Sequence, residues 1–260
     1  KCLEVSQTWK VLAENVLIKR WKGKMFEACK NGETKVVQLL LERCNSEESG
    51  LNTKDKYGHT PFMWACGNGH KDIVKLLLEH SDPRIDLNAK DHVEETALMA
   101  ACSRGHKDVV KLLLDHSERI ELNARDSDGK TAFMFACELG QTDVVQLLLN
   151  HSGSNIELNA RTNCGRTGFM WACSEGLEDV VQLFLHHQDL NIDLNARDDY
   201  AMTGFMWACK NGHKDVVQLL LDNSDAINID IPEHIYFSKT RINGRLRRPM
   251  RGLRRAARFA

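Results

Sequence analysis

Thr60-Pro61-Phe62-Met63-Trp64-Ala65-Cys66 is a short apolar run opened by Thr and Pro, and the chain repeats it. It returns as Thr96-Ala97-Leu98-Met99-Ala100-Ala101-Cys102 and as Thr131-Ala132-Phe133-Met134-Phe135-Ala136-Cys137. Two more copies are Thr167-Gly168-Phe169-Met170-Trp171-Ala172-Cys173 and Thr203-Gly204-Phe205-Met206-Trp207-Ala208-Cys209. Successive Thr residues lie 36, 35, 36 and 36 positions apart. A degenerate copy, Met25-Phe26-Glu27-Ala28-Cys29, precedes them, with Cys29 lying 37 residues before Cys66. A fixed period of this length marks a stacked-repeat architecture, here of six units.

Each unit reads as two helices. The first carries the apolar run and stops at a Gly (Gly32, Gly69, Gly105, Gly140, Gly176, Gly212), a residue suited to the left-handed position that closes a helix. The second, such as Asp72-Ile73-Val74-Lys75-Leu76-Leu77-Leu78, is apolar at helical spacing. A polar segment then leads to Leu-Asn-Ala at Leu87, Leu122, Leu158 and Leu194, and on to an Asp-containing turn. Two short helices bury little alone, so the units must stack around one shared core.

The pattern D-x-x-G-x-T-P-L-x-x-A…G-H-x-x-V-V-x-L-L-L…L-N-A resembles the ankyrin repeat, and residues 55–89 come close to a full match. The resemblance covers about residues 20–231. It implies an all-α, ankyrin-repeat solenoid of stacked helix-turn-helix units, divided at about 22–54, 55–90, 91–125, 126–161, 162–197 and 198–231. Two features depart from the family. Its usual His in T-P-L-H is Met here (Met63, Met99, Met134, Met170, Met206), which exchanges a polar hydrogen bond for packing. The loop after the second helix is also two or three residues longer than the family's unit allows.

The candidates for chemistry dissolve into the repeat. Six of nine Cys (Cys29, Cys66, Cys102, Cys137, Cys173, Cys209) share one repeat position. Stacked helices lie about 8–10 Å apart, whereas a disulfide wants Cα atoms within about 7 Å. Buried free thiols in a reducing compartment are therefore expected. Cys66-x3-His70, Cys102-x3-His106 and Cys209-x3-His213 resemble ligand pairs, but the same His position is Glu33, Gln141 and Leu177 elsewhere. Zinc needs about four converging ligands, so neither a metal nor a cofactor is expected. No phosphate loop, zincin or nucleophile-elbow motif occurs, and a non-catalytic chain is expected.

Positions that vary between copies are free of scaffold duty. At the turn tips they are Tyr57 and His59, His92 and Glu94, Asp128 and Lys130, Asn163 and Arg166, Tyr200 and Met202. On the first helix they are Glu27, Trp64, Ala100, Phe135, Trp171 and Trp207. The resemblance implies that turn tips and first-helix face line a concave surface gripping a protein partner. Trp64, Phe135, Trp171 and Trp207 then form an aromatic row broken by Ala100, either exposed as interface anchors or packed between repeats. Stacked at about 10 Å per unit, six units present a groove about 50–60 Å long. Acids on the long loops (Asp82, Asp86, Glu118, Glu121, Glu157, Asp189, Asp193) read as a solvated rim.

The two ends do not repeat. Leu3-Glu4-Val5-Ser6-Gln7-Thr8-Trp9-Lys10-Val11-Leu12-Ala13, followed by Leu17 and Trp21, resembles the second half of an F-box. That resemblance implies a ubiquitin-ligase adaptor as partner and substrate recognition as the role; the other reading of residues 1–21 is a helical cap on the first repeat. The chain starts at Lys1 without an initiator Met or a signal-peptide h-region, a start that fits a fragment. Residues 232–260 are read as a basic, disordered tail; attachment to nucleic acid or an acidic membrane is the less favoured reading.

Composition fits a globular chain of 260 residues, with 42% hydrophobic and 27% charged residues. No apolar run reaches the roughly 20 residues of a transmembrane helix. An intracellular monomer, cytoplasmic or nuclear, is expected. The formal net charge of −1 hides a division. Nine of the 35 basic residues and one of the 36 acidic ones fall in 232–260, which leaves 26 basic and 35 acidic residues before it.

Overall fold

The computed structural model describes residues 23–43, 50–80, 85–151 and 155–229. The segments 1–21 and 232–260, with Cys2, Cys44 and Asp82, lie outside the described residues. The described part of α1 covers residues 23–31, and α2 is Thr34–Arg43. Then come α3 (Pro61–Gly67), α4 (Lys71–Glu79), α5 (Ala97–Ser103), α6 (Lys107–Asp115), α7 (Ala132–Glu138) and α8 (Thr142–Asn150). The series ends with α9 (Gly168–Glu175), α10 (Glu178–His186), a 3-10 turn (Gln188–Leu190), α11 (Gly204–Asn211) and α12 (Lys214–Asp222). None of the described helices is long and apolar enough to cross a membrane.

The helices form two layers. α3, α5, α7, α9 and α11 pack in sequence, as do α2, α4, α6, α8, α10 and α12, and each first helix also packs on its own second helix. In α3 the residues Phe62, Met63, Ala65 and Cys66 are all buried, and the small Ala-Cys pair lets neighbouring first helices approach closely. α4 buries Ile73, Val74, Leu77 and Leu78 and leaves Lys71, Asp72, Lys75 and Glu79 in water. That apolar stripe is the spacing of a one-faced helix. Most of the buried side chains of both layers join in one core from Met25 to Ile227, and Met170, Ala196, Met202, Met206 and Trp207 form a smaller cluster.

Each first helix starts on its Thr. The Thr60, Thr96, Thr131, Thr167 and Thr203 hydroxyls accept the backbone N–H of the Met three residues on, at 3.2–3.4 Å. Such a cap contributes about 1 kcal/mol. In two copies the Met does more than fill space: the Met63 and Met99 sulfurs each accept the N–H of the capping Thr at 3.4 Å. The thioether thus takes up a backbone donor that the sequence reading left to packing alone.

All six helix-closing glycines have positive φ, as their left-handed reading required. At Gly69 (φ 73°) space is limiting too, since a Cβ there would lie 2.6 Å from His106 Nδ1. The His at this position is a staple between units. The ring Nε2 atoms of His70, His106 and His213 bond the carbonyls of Lys30, Gly67 and Ser174 at 3.0, 2.9 and 2.7 Å. Gln141 replaces His with an amide that donates to Ser103 O at 3.0 Å. Leu177 keeps only the packing.

The Asn of Leu-Asn-Ala forms a second ladder. Asn88 donates to Arg119 O at 2.9 Å and accepts from Glu121 N at 2.9 Å. Asn159 repeats this with Asn191 O at 3.0 Å and Asp193 N at 2.8 Å. A third ladder runs along the next position, where Lys54 and Lys90 donate to the carbonyls of Lys90 and Arg125 at 2.7 and 2.9 Å. The long loops thus add hydrogen bonds between units to the packing of the helices.

Cys29, Cys66, Cys102, Cys137 and Cys173 are buried free thiols, and Cys209 is half-buried. Burial pushes Cys29 up to about 12 and Cys209 up to about 11. Cys66, Cys102, Cys137 and Cys173 are also raised by burial, so all six are protonated at neutral pH.

Candidate functional site

The turns between units are built on one carboxylate. Asp55 Oδ1 accepts the N–H of Tyr57 and His59 at 2.8 and 2.9 Å, folding the chain back over the side chain. Asp91, Asp126 and Asp198 do the same for the residues two and four positions on. Desolvation works to raise the Asp55 pKa. The hydrogen bonds from the His59 and Tyr57 backbone and from the Trp64 and His59 side chains outweigh it and hold the carboxyl below its usual range.

Adjacent tips are then tied together. The N–H of His92 donates to Tyr57 O, Ser127 to Val93 O, Asn163 to Asp128 O and Asp199 to Cys164 O, all at 2.9–3.1 Å. This ladder fixes the backbone of the tips through main-chain bonds, so it places no demand on their side chains. Tyr57 and Tyr200 are 55% and 69% exposed, and His92, Glu94, Asp128 and Asn163 are exposed as well.

Beneath the tips lies the aromatic row, half-buried at Trp64, Phe135 and Trp171. Its rings are stacked with cations of this same chain. Lys30 sits 5.0 Å from the Trp64 ring centre, while His59 meets that ring edge-on at 5.2 Å. Lys130 lies over Phe135 and Trp171 at 5.5 and 4.5 Å and bonds Glu138 at 2.8 Å. Arg166 lies between Trp171 and Trp207 at 4.6 and 3.8 Å, and Lys210 covers the other side of Trp207 at 4.1 Å. The row is thus neither bare nor sealed between units.

Two residues expected on this surface are inside it. Met202 is 5% exposed and packs with Met170, Ala196, Met206 and Trp207. Trp207 is 8% exposed, because it lies beneath Arg166 and Lys210 and donates its indole N–H to Asp198 Oδ2 at 2.8 Å. An apolar side chain at the turn position held by His59, Lys130 and Arg166 in other copies turns inward rather than into water.

Several roles in the site were not read from the sequence. The row Asp55, Asp91, Asp126, Thr162 and Asp198 builds the turns, and Asp55 and Asp198 also accept the indole N–H nine residues on. That offset is visible in the repeats, as is the exception at Thr162. Glu95 is half-buried near Asp91 and Asp126; desolvation and then those two acids raise its pKa, partly offset by His59 and Arg104. His59 lies 3.3 Å from both Asp55 and Asp91, linking two turns. Among the described residues no three His, Cys, Asp or Glu side chains are arranged to hold a metal ion.

A family profile described as ankyrin repeats (three copies) matches residues 25–91, 84–162 and 152–232. The search of curated proteins finds no match. Together the matched stretches cover residues 25–232 of 260, and over that length the helix pairs, closing glycines and tied turns are the ones described above: the chain belongs to the ankyrin-repeat family.

Proposed function

We propose that the chain is a non-catalytic protein-interaction module whose partner lies along the turn tips and the first-helix face. Ankyrin repeats are in general protein-binding modules. The observation that carries the reading here is the contrast at the tips between a fixed frame and a varied surface. Hydrogen bonds hold every tip in one backbone geometry. The exposed side chains on that frame include Tyr, His, Val, Glu, Asp, Asn, Lys and Ser. Among the described residues five large hydrophobics are exposed: Tyr57, Val93 and Tyr200 sit at the tips, against Leu39 and Leu139 elsewhere. Amphipathic aromatics on a rigid frame lose little entropy on binding and make strong interface anchors.

The test compares two variants of the full chain in affinity capture followed by titration of the captured protein. Tyr57→Ala with Tyr200→Ala removes the tip aromatics, and Lys75→Ala with Lys111→Ala alters the exposed face of α4 and α6. The tip variant is expected to bind at least tenfold more weakly, and the second-helix variant to bind normally. The opposite ranking would remove the proposal.

A second reading, substrate recognition within a ubiquitin ligase, rests on the F-box-like residues Leu3 to Trp21. It requires the full chain to bind a purified F-box adaptor and to lose that binding on deletion of residues 1–21. No binding by the intact chain would end it.

A further inference from the structure

Arg166 occupies an unusual position. Its guanidinium is held between the Trp171 and Trp207 rings, and its side chain is 14% exposed. A buried donor is expected to be paired, yet the Arg166 Nε is buried without a hydrogen-bond acceptor. The nearest carboxylate oxygen, Asp198 Oδ2, is 3.7 Å away and already takes the Trp207 indole N–H. Asp198 Oδ1 is taken by the N–H groups of Tyr200 and Met202. Among the described residues no hydrogen bond engages the terminal guanidinium nitrogens.

A second buried donor beside it is also unpaired: the Trp171 indole N–H. Trp64 and Trp207 donate to the Asp nine residues before them. For Trp171 that position is Thr162, whose hydroxyl takes the Arg166 backbone N–H at 3.1 Å and lies 3.2 Å from Cys164 Sγ. One replacement, Thr for Asp, thus leaves the fifth unit without the carboxylate that takes the indole N–H in the second and sixth, and Arg166 stacks on that same Trp171 ring.

We infer that the partner supplies this carboxylate, from an Asp or Glu side chain that docks on the Arg166 fork between Trp171 and Trp207. A stacked guanidinium is already oriented for a two-pronged bond to a carboxylate. The charge of the surroundings agrees. Lys210 lies over the same Trp207 ring at 4.1 Å and adds a second cation next to Arg166, while Lys130 is paired with Glu138. Arg166 and Lys210 on the Trp207 ring carry two positive charges against the one negative charge of Asp198, and the single positive charge left over favours a carboxylate over doubly charged phosphate. The inference rests on the protein-binding reading and specifies the chemistry of its partner.

Selection of a random decapeptide library against the full chain, followed by titration of the selected synthetic peptides, tests it. Selected peptides should share an acid whose change to Asn or Gln weakens binding tenfold or more. Arg166→Lys, which keeps charge but loses the fork, should weaken the acidic peptides similarly and the amide versions hardly at all. Thr162→Asp supplies the acceptor internally, so it should also weaken acidic peptides tenfold while its melting temperature is not lowered. Peptides that bind the tips but are indifferent to Arg166→Lys and Thr162→Asp would overturn the inference and leave the protein-binding reading standing. A tenfold preference for phosphoserine over Asp and Glu at that position would overturn the choice of carboxylate. Failure to select any peptide would count against both.

Discussion

Ala201 and Glu94 occupy the turn position that Gly58, Gly129 and Gly165 hold in other units, with φ of 58° and 65°. A side chain in the left-handed region costs about 1–2 kcal/mol, partly offset by the greater freedom glycine loses on folding. Ala201→Gly should therefore raise stability by about 1 kcal/mol in a urea titration; a lowered midpoint would contradict the strain. Glu95 gives a prediction in pH. Its folded pKa is raised above the usual 4.5, so the folded state favours the protonated acid. The stabilisation from that preference is present below the usual value and lost as pH rises through the folded one. Glu95→Gln should raise the urea midpoint at pH 7, with the gain closing below pH 4.5, and equal midpoints at pH 7 would contradict it. The sequence showed where residues vary but not which way they face. Met202 shares a turn position with Lys130 and Arg166, and only its missing charge marked it for burial.

At the scale of the element, the helices were legible because each carries its own start, period and stop. Thr caps, paired Val and Leu at helical spacing, and a closing Gly recur in nearly every copy, and the structure puts helices where they fall. The joints between elements were less legible. The His that follows Gly69, Gly105 and Gly212 looked like half a metal site, yet its partner is a carbonyl about 39 residues back, a pairing no local pattern displays. Likewise the Asn of Leu-Asn-Ala bonds two backbone groups of the next long loop. Asn159→Ala removes both bonds between the fourth and fifth units. At about 0.5–1.5 kcal/mol for each bond, the loss should be about 1–3 kcal/mol. Stability in a stacked array is largely a sum over neighbouring interfaces. Native-state hydrogen exchange should therefore quicken most around Asn191 to Asp193, and uniform acceleration along the chain would contradict this.

Across the molecule, one core shared by both layers explains why the repeat could be read so fully. Every unit must satisfy the same neighbours, so the positions that touch them are held constant and the rest stand out. The candidate surface was legible as the set of varying positions, including Trp64, Phe135 and Trp171, which lie in one row. The stacking of cations on that row was not legible, because Lys30, Lys130 and Arg166 each cover a ring of the following unit, about 34–41 residues on. The most direct measurement of the whole account is a hydrogen-exchange footprint of the full chain with a bound protein partner. Protection should fall on the tips and first helices, at residues 57–67, 92–103, 128–138, 163–175 and 200–211. Protection concentrated instead on α4, α6, α8 and α10 would place the partner on the other layer and contradict the account.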